Sequence, residues 1–215
     1  MNNKHKYDIV ILDFDNTLCN SNLYELCIKI NDIDKIKKLV KINNKYRHVS
    51  SLFNNYDQLI CIFNDLKKRN VKLCIATLNY LKLITKMVNT AFPNIFDYIL
   101  TPDNIDIESG TNVTKITRFL IDSSCPRFYG KNVMIKTIMK KFNINDPSKI
   151  IFFDDDCNNT KCAQSCINID IINNDKTGIT SNLLLSTLYQ KKNNISSLNI
   201  NKLNTINKTF IIYKF

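Results

Sequence analysis

The sequence predicts an α/β fold, a three-layer sandwich of helices around a central parallel sheet. Three observations lead there. Apolar stretches recur at 9–12 and 150–153, unbroken, and at 71–76 and 96–100, each with a single charged residue (Lys72, Asp97), and unalternating runs of this length read as strands covered on both faces. The stretches between them carry apolar residues at helical spacing, and strands that alternate with helices give a parallel sheet with right-handed crossovers. Finally, three of the runs stop abruptly at Asp13, Thr77 and Asp154, where open α/β sheets bind their ligands.

Composition narrows the class. A chain of 215 residues fits one domain with a small insertion, and 44% hydrophobic residues can build a sizeable core. The longest apolar runs are strand-sized, so no membrane span or membrane partner is expected. Met1-Asn2-Asn3-Lys4-His5-Lys6 is polar, and the apolar run after it is shorter than the roughly 7–15 residues of a secretion signal. A cytoplasmic protein is the expectation. The eight cysteines contain no Cys-x-x-Cys pair, and without a secretion signal they read as reduced fillers of small core positions. Cys157, Cys162 and Cys166 have no histidine near them and do not make a zinc pattern. The net charge of +11 would attract polyanions and keeps nucleic acid open as a partner. It comes mostly from lysines scattered through an Asn-, Lys- and Ile-rich chain, with no basic block longer than Lys67-Lys68-Arg69. Compositional bias accounts for such a charge, which also suits an anionic substrate.

The elements follow in order. After Cys19, Leu23, Leu26, Cys27 and Ile30 recur at helical spacing, then Ile33, Ile36, Leu39, Val40 and, less regularly, Ile42, with Asn31-Asp32 as a turn between. A polar stretch over 43–50 precedes a helix over 55–68, striped by Leu59, Ile60, Phe63 and Leu66 and closed by basic residues. The strand at 71–76 ends in Thr77-Leu78-Asn79, where Thr77 could cap the next helix, 81–90. The segment after the strand at 96–100 is the least patterned, with a candidate helix at 113–120. Gly130-Lys131 opens a helix with Val133, Met134, Ile138, Met139 and Phe142 on its stripe. Beyond the strand at 150–153, a helix is expected at 160–166, a strand at 167–172, a loop at 173–179 and a helix at 182–189. After 190 the chain is polar and of low complexity except for Phe210-Ile211-Ile212-Tyr213, which suits an edge strand or a partner contact.

Two carboxylates at i and i+2, Asp13 and Asp15, repel each other, and a hard cation relieves that repulsion. Asp154, Asp155 and Asp156 follow four buried-type apolar residues, where unpaired charge is costly unless it is paired or metal-bound. Both features point to a cation site.

Asp13-Phe14-Asp15-Asn16-Thr17 after a buried strand resembles the first motif of the haloacid dehalogenase (HAD) superfamily. Thr77 at its strand end resembles the second, Lys131 at a helix start the third (with Lys136 as a rival), and Asp154-Asp155 the fourth. All four stand in order within residues from about 7 to 190. Phe152-Phe153-Asp154-Asp155 with Asn158 nearby, and a small insertion, look most like the magnesium-dependent phosphatase and related small-cap branches. A further insertion at 105–129 departs from that compact pattern. The resemblance implies a Rossmann-like, HAD-like hydrolase domain over 1–190, a small helical cap at about 20–54, a substrate loop at about 101–130 and a polar tail at 191–215. Arg118, Arg127 and Tyr129 are the candidate substrate contacts in that loop.

What the resemblance implies chemically is a phosphatase that hydrolyses a phosphomonoester through an aspartyl-phosphate. Asp13 would be the nucleophile and Asp15 the acid and base. Mg²⁺ would be held by Asp13, the Asp15 carbonyl and Asp154, with Asp155 acting through water or orienting Lys131. Thr77, Leu78, Asn79 and Lys131 would hold the phosphate. The substrate could be a small molecule, a protein or a nucleic-acid end. Two other readings stand beside this one: a nucleic-acid end-processing (3′-phosphate) phosphatase, and a non-catalytic binding module. The second motif-one acid argues against dehalogenase chemistry, and the unbroken motifs argue against the binding module.

Overall fold

The computed structural model describes residues 6–23, 39–42, 45–105 and 131–189. Strand β1 (Ile9–Leu12) lies at the centre, with all four residues fully buried. Strands β2 (Leu39–Ile42) and β3 (Lys45–His48) form a separate antiparallel hairpin. The main sheet is completed by β4 (Lys72–Ala76), β5 (Tyr98–Leu100), β6 (Ile150–Asp154) and β7 (Asp170–Asn173). Its order is β5-β4-β1-β6-β7, and every pairing is parallel.

The runs of β1 and β6 are continuous because each of these strands serves two cores. Val10 and Leu12 join Leu73, Ile75, Ile151 and Phe153 on one face, and Ile9 and Ile11 join Cys74, Ala76, Ile150 and Phe152 on the other. Successive side chains point to opposite faces, so a strand covered on both sides has no polar position to offer. Helices α1 (Tyr56–Lys68), α2 (Leu81–Ala91) and α5 (Ser181–Leu188) cover the first face. Helices α3 (Asn132–Lys141) and α4 (Cys157–Ile167) cover the second. Of the expected stripes, Leu59, Phe63 and Leu66 from α1 and Met134 and Ile138 from α3 are buried, whereas Ile60, Val133, Met139 and Phe142 are only partly so and Ile62 and Ile135 take core places instead.

Register places the chemistry. Leu12 stands level with Ile75 on one side and Phe153 on the other. The residues that follow these strands, Asp13, Thr77 and the last residue of β6, Asp154, therefore emerge along one edge. From β1 the chain runs to β4 and β5 on one side, then returns to β6 and β7 on the other. The β1–β6 junction is thus the point where strand order reverses, and such points open a crevice at the carboxyl ends.

Several expectations are corrected. Leu39, Val40 and Ile42 belong to a hairpin and not to a helix. Ile42 pairs with Lys45, leaving Asn43-Asn44 between them in sequence, and a two-residue connection rich in Asn favours a hairpin over helical spacing. Helix α4 begins at Cys157, three residues before the expected 160, because Asp156 caps it through a bond from the Asn158 N–H (2.8 Å). It also runs on to Ile167, with Asn168 left-handed at φ 58°, so β7 starts only at Asp170. Strand β5 is shorter than 96–100, because Asp97 instead accepts the Leu73 N–H on its side chain (2.9 Å). The expected helices within 24–38 and at 113–120, the contacts Arg118, Arg127 and Tyr129, and the run at 210–213 lie outside the described residues.

Candidate active site

The turn after β1 is built from its own backbone. The Leu18 N–H donates to the Asp13 carbonyl (3.1 Å) and the Cys19 N–H to the Phe14 carbonyl (2.8 Å). Inside it Asp15 is extended and Asn16 is left-handed at φ 57°, a conformation that Asn tolerates better than most residues. Phe14 and Leu18 are buried in the core below, which fixes the carboxylates of Asp13 and Asp15 above it. The loop after β7 clamps the turn from the side. The Asn16 carbonyl accepts from the Gly178 N–H (3.0 Å) and Asn174 Nδ2 (3.2 Å), and the Thr17 carbonyl from the Ile179 N–H (2.5 Å). Gly178 has φ +85°, and a Cβ there would come within 2.8 Å of the Asn20 Cα, so the clamp requires glycine. Asn174 and Gly178 were invisible to motif reasoning, since nothing local marks a loop residue that braces a turn over 150 positions away.

Lys131 Nζ sits 2.5 Å from Asp13 Oδ1 and 2.8 Å from Asp154 Oδ2. All three residues are buried: Lys131 is 3% exposed, Asp13 6% and Asp154 0%. Asp154 also accepts the Asp156 N–H (2.8 Å) and Asn159 Nδ2, 3.3 Å from each oxygen. Burial drives the Asp13 carboxyl well above its ordinary value, with the Lys131 charge opposing and the Asp154 charge adding to the rise. Burial would lower Lys131, but the Asp13 and Asp154 carboxylates raise it instead and keep it an ammonium. Lys136 is exposed, further along α3.

Asp155 does not orient Lys131. It accepts Thr17 Oγ1 (3.3 Å) and Asn16 Nδ2 (3.4 Å), and so ties the end of β6 to the β1 turn. Asp156 is spent on capping α4. Asp13, Asp154 and Asp155 each offer a carboxylate oxygen, and these three oxygens lie within 4.8 Å of one another. Clustered hard oxygen donors of this kind fit Mg²⁺. The Asp15 carboxylate stands apart from that cluster. Its Oδ1 accepts the Leu23 N–H (2.7 Å) and its Oδ2 accepts Asn79 Nδ2 (2.8 Å). Burial raises the Asp15 carboxyl, while these two bonds work to lower it.

Thr77 is buried, and its Oγ1 accepts the Asn79 N–H (3.3 Å). It does not cap α2, whose first N–H, from Leu81, bonds instead to Asp103 Oδ2 (2.9 Å). Leu78, between two buried neighbours, is 48% exposed. The predicted catalytic, phosphate-binding and metal residues, Asp13, Asp15, Thr77, Leu78, Asn79, Lys131, Asp154 and Asp155, line a single cleft of about 670 Å³. The side-chain bond from Asn79 to Asp15 was not anticipated.

No protein-family model matches the chain, and no curated protein does. The solved structures it resembles include haloacid dehalogenase-like hydrolases. A Bacteroides fragilis protein described as a haloacid dehalogenase-like hydrolase is 12% identical, with 84% of this chain and 93% of that one covered and a TM-score of 0.49. The HAD domain of a Legionella pneumophila effector, an inactive mutant, is 11% identical over 85% of this chain and 94% of that one, with a TM-score of 0.48. The 3-deoxy-D-manno-octulosonate 8-phosphate phosphatase of Moraxella catarrhalis, solved with magnesium and phosphate, is 13% identical with a TM-score of 0.41. The match covers 75% of this chain but only 64% of that enzyme's length. Among the described residues no helix is long and apolar enough to cross a membrane.

Proposed function

We propose that this protein is a Mg²⁺-dependent phosphatase that hydrolyses a phosphomonoester through a phosphorylated Asp13. The observation that carries the reading is the buried Asp13–Lys131–Asp154 cluster at the carboxyl edge of the sheet, with Asp155 within reach and Asp15 two residues on. Mg²⁺, held by Asp13, Asp154 and Asp155 together with the Asp15 carbonyl, would supply positive charge to offset that of the phosphate.

The chain's own residues then divide the work. An Asp13 carboxylate oxygen bonds to phosphorus as the ester P–O bond breaks. Asp15, as the acid, gives its proton to the departing oxygen, and the alcohol leaves. Asp15, now a carboxylate, takes a proton from water as the water oxygen bonds to phosphorus. The bond from Asp13 to phosphorus breaks, which returns the carboxylate and releases inorganic phosphate. Lys131 offsets the repulsion between Asp13 and the phosphate, and Thr77 with the Leu78 and Asn79 backbone holds phosphoryl oxygens. Asn79 Nδ2 and the Leu23 N–H hold the Asp15 carboxylate in position. In this reading residues 20–54 act as a small cap and 101–130 as a substrate loop.

Hydrolysis of a generic aryl phosphate should require Mg²⁺ and stop when the metal is chelated. Undiminished turnover in excess chelator would overturn the metal assignment.

A further inference from the structure

Among the described residues two large hydrophobic side chains are exposed, Leu78 at 48% and Tyr80 at 39%. They flank Asn79 in the segment that forms the wall of the cleft, and Leu78 lines the cleft itself. Exposing an apolar side chain costs solvation free energy that burial elsewhere would recover, and a patch held open beside a polar site marks a ligand surface. Leu78 is also held in place. Thr77 and Asn79 on either side of it are buried and bonded to each other, and Asn79 is bonded to Asp15. The backbone at Leu78 is therefore held at the wall of the cleft.

The charge of the cleft points the same way. Its described lining holds five carboxylates against two lysines, so acidic groups predominate among those residues. Lys131 is already shared between Asp13 and Asp154. A second anionic group on the substrate, such as a carboxylate or another phosphate, would meet repulsion here.

We propose that Leu78, with Tyr80 two residues on, is a specificity lip. It selects phosphomonoesters whose leaving alcohol is uncharged and carries an apolar, ring-sized group next to the ester oxygen. This rests on the phosphatase reading of the same cleft.

The test uses non-hydrolysable probes with Mg²⁺ and the full chain. Benzylphosphonate should bind about tenfold more tightly than methylphosphonate, the gain expected when a ring is partly desolvated against a leucine and a tyrosine. Leu78→Ala and Leu78→Ser should each remove most of that preference, and Tyr80→Ala should remove a smaller part. Equal affinity for the two probes in the parent, or a preference that survives all three substitutions, overturns the lip. A carboxylated analogue that binds more tightly than benzylphosphonate also overturns it. Turnover of benzyl phosphate, measured in parallel, separates the two readings. Benzylphosphonate preference without any turnover sinks the phosphatase and leaves the lip standing as a binding surface, whereas turnover without preference sinks only the lip.

Discussion

Two Lys–Asp pairs sit at opposite edges of the same sheet and behave in opposite ways. At the amino edge Lys6 meets Asp170, which also accepts the Tyr7 hydroxyl (2.6 Å), and both side chains of the pair are well exposed, at 61% and 43%. At the carboxyl edge Lys131 meets Asp13, with side-chain exposures of 3% and 9%. Partial burial works to raise the Asp170 carboxyl, but hydrogen bonds from Lys6 and Tyr7 outweigh it, and the carboxyl ends below its ordinary value. Full burial outweighs Lys131 at Asp13, and that carboxyl ends well above. The chemistry of the pair is the same, and solvent decides the sign. The exposed pair is a tie between two ends of the chain. The buried one concentrates charge in the cleft at the carboxyl edge of the sheet.

Opening the buried pair should have the largest effect. Lys131→Ala should cut turnover roughly 10²–10³-fold, the scale of losing one preorganised electrostatic partner. It should also lower stability by about 3–5 kcal/mol, because two buried carboxylates lose their counter-charge. Lys136→Ala on the same helix should change neither, and a more damaging Lys136 change would show that the third motif is misplaced. Initial rates and thermal melts of both variants decide this.

Next in size is the bond that aims Asp15. Asn79→Ala should lower kcat about tenfold, the worth of one hydrogen bond to a charged group. Mg²⁺ affinity should stay unchanged, since Asn79 touches no member of the Asp13, Asp154 and Asp155 cluster. An unaltered kcat with weakened Mg²⁺ binding would contradict the role given to Asn79.

Opening the exposed pair should do least. Lys6→Ala should leave turnover unchanged and cost no more than about 1 kcal/mol. The pH dependence of stability should differ in direction between the two edges. Asp170 is depressed, so its contribution is present above the unfolded carboxylate pKa and is lost as pH falls through the folded value. Lys6→Ala should therefore flatten the acid side of the stability curve. Asp13 is raised, so its contribution is present below the unfolded value and is lost as pH rises through the folded one. Asp13→Asn in chelator should flatten that side instead. Melts across pH that show both variants flattening the same side would undo the contrast.

What could be read in advance was what lies within one continuous stretch. The runs before Asp13 and Asp154 announce doubly covered strands, and the acids that end them announce the site. Lys131 could be placed because a helix start and a strand lie close to it in sequence. What escaped depends on partners far along the chain. Asp155 turns to Asn16 and Thr17, nearly 140 positions away. Leu81 is capped by Asp103 and not by Thr77. The bracing of the β1 turn by Asn174 and Gly178 depends on a close approach of two loops. The hairpin at 39–48 escaped for a different reason: a short apolar run fits helix and strand spacing equally well, and the turn residues decide.

The most direct measurement is to look for phosphate on Asp13. Borohydride added during turnover of an aryl phosphate reduces an acyl phosphate to an alcohol, and peptide mass spectrometry locates the reduced side chain. Reduction is expected at Asp13 in the parent and in Asp15→Asn, and absent from Asp13→Asn and from samples without substrate. Brisk turnover with Asp13 never modified, or with the modified side chain at Asp15, Asp154 or Asp155 instead, would contradict Asp13 as the nucleophile.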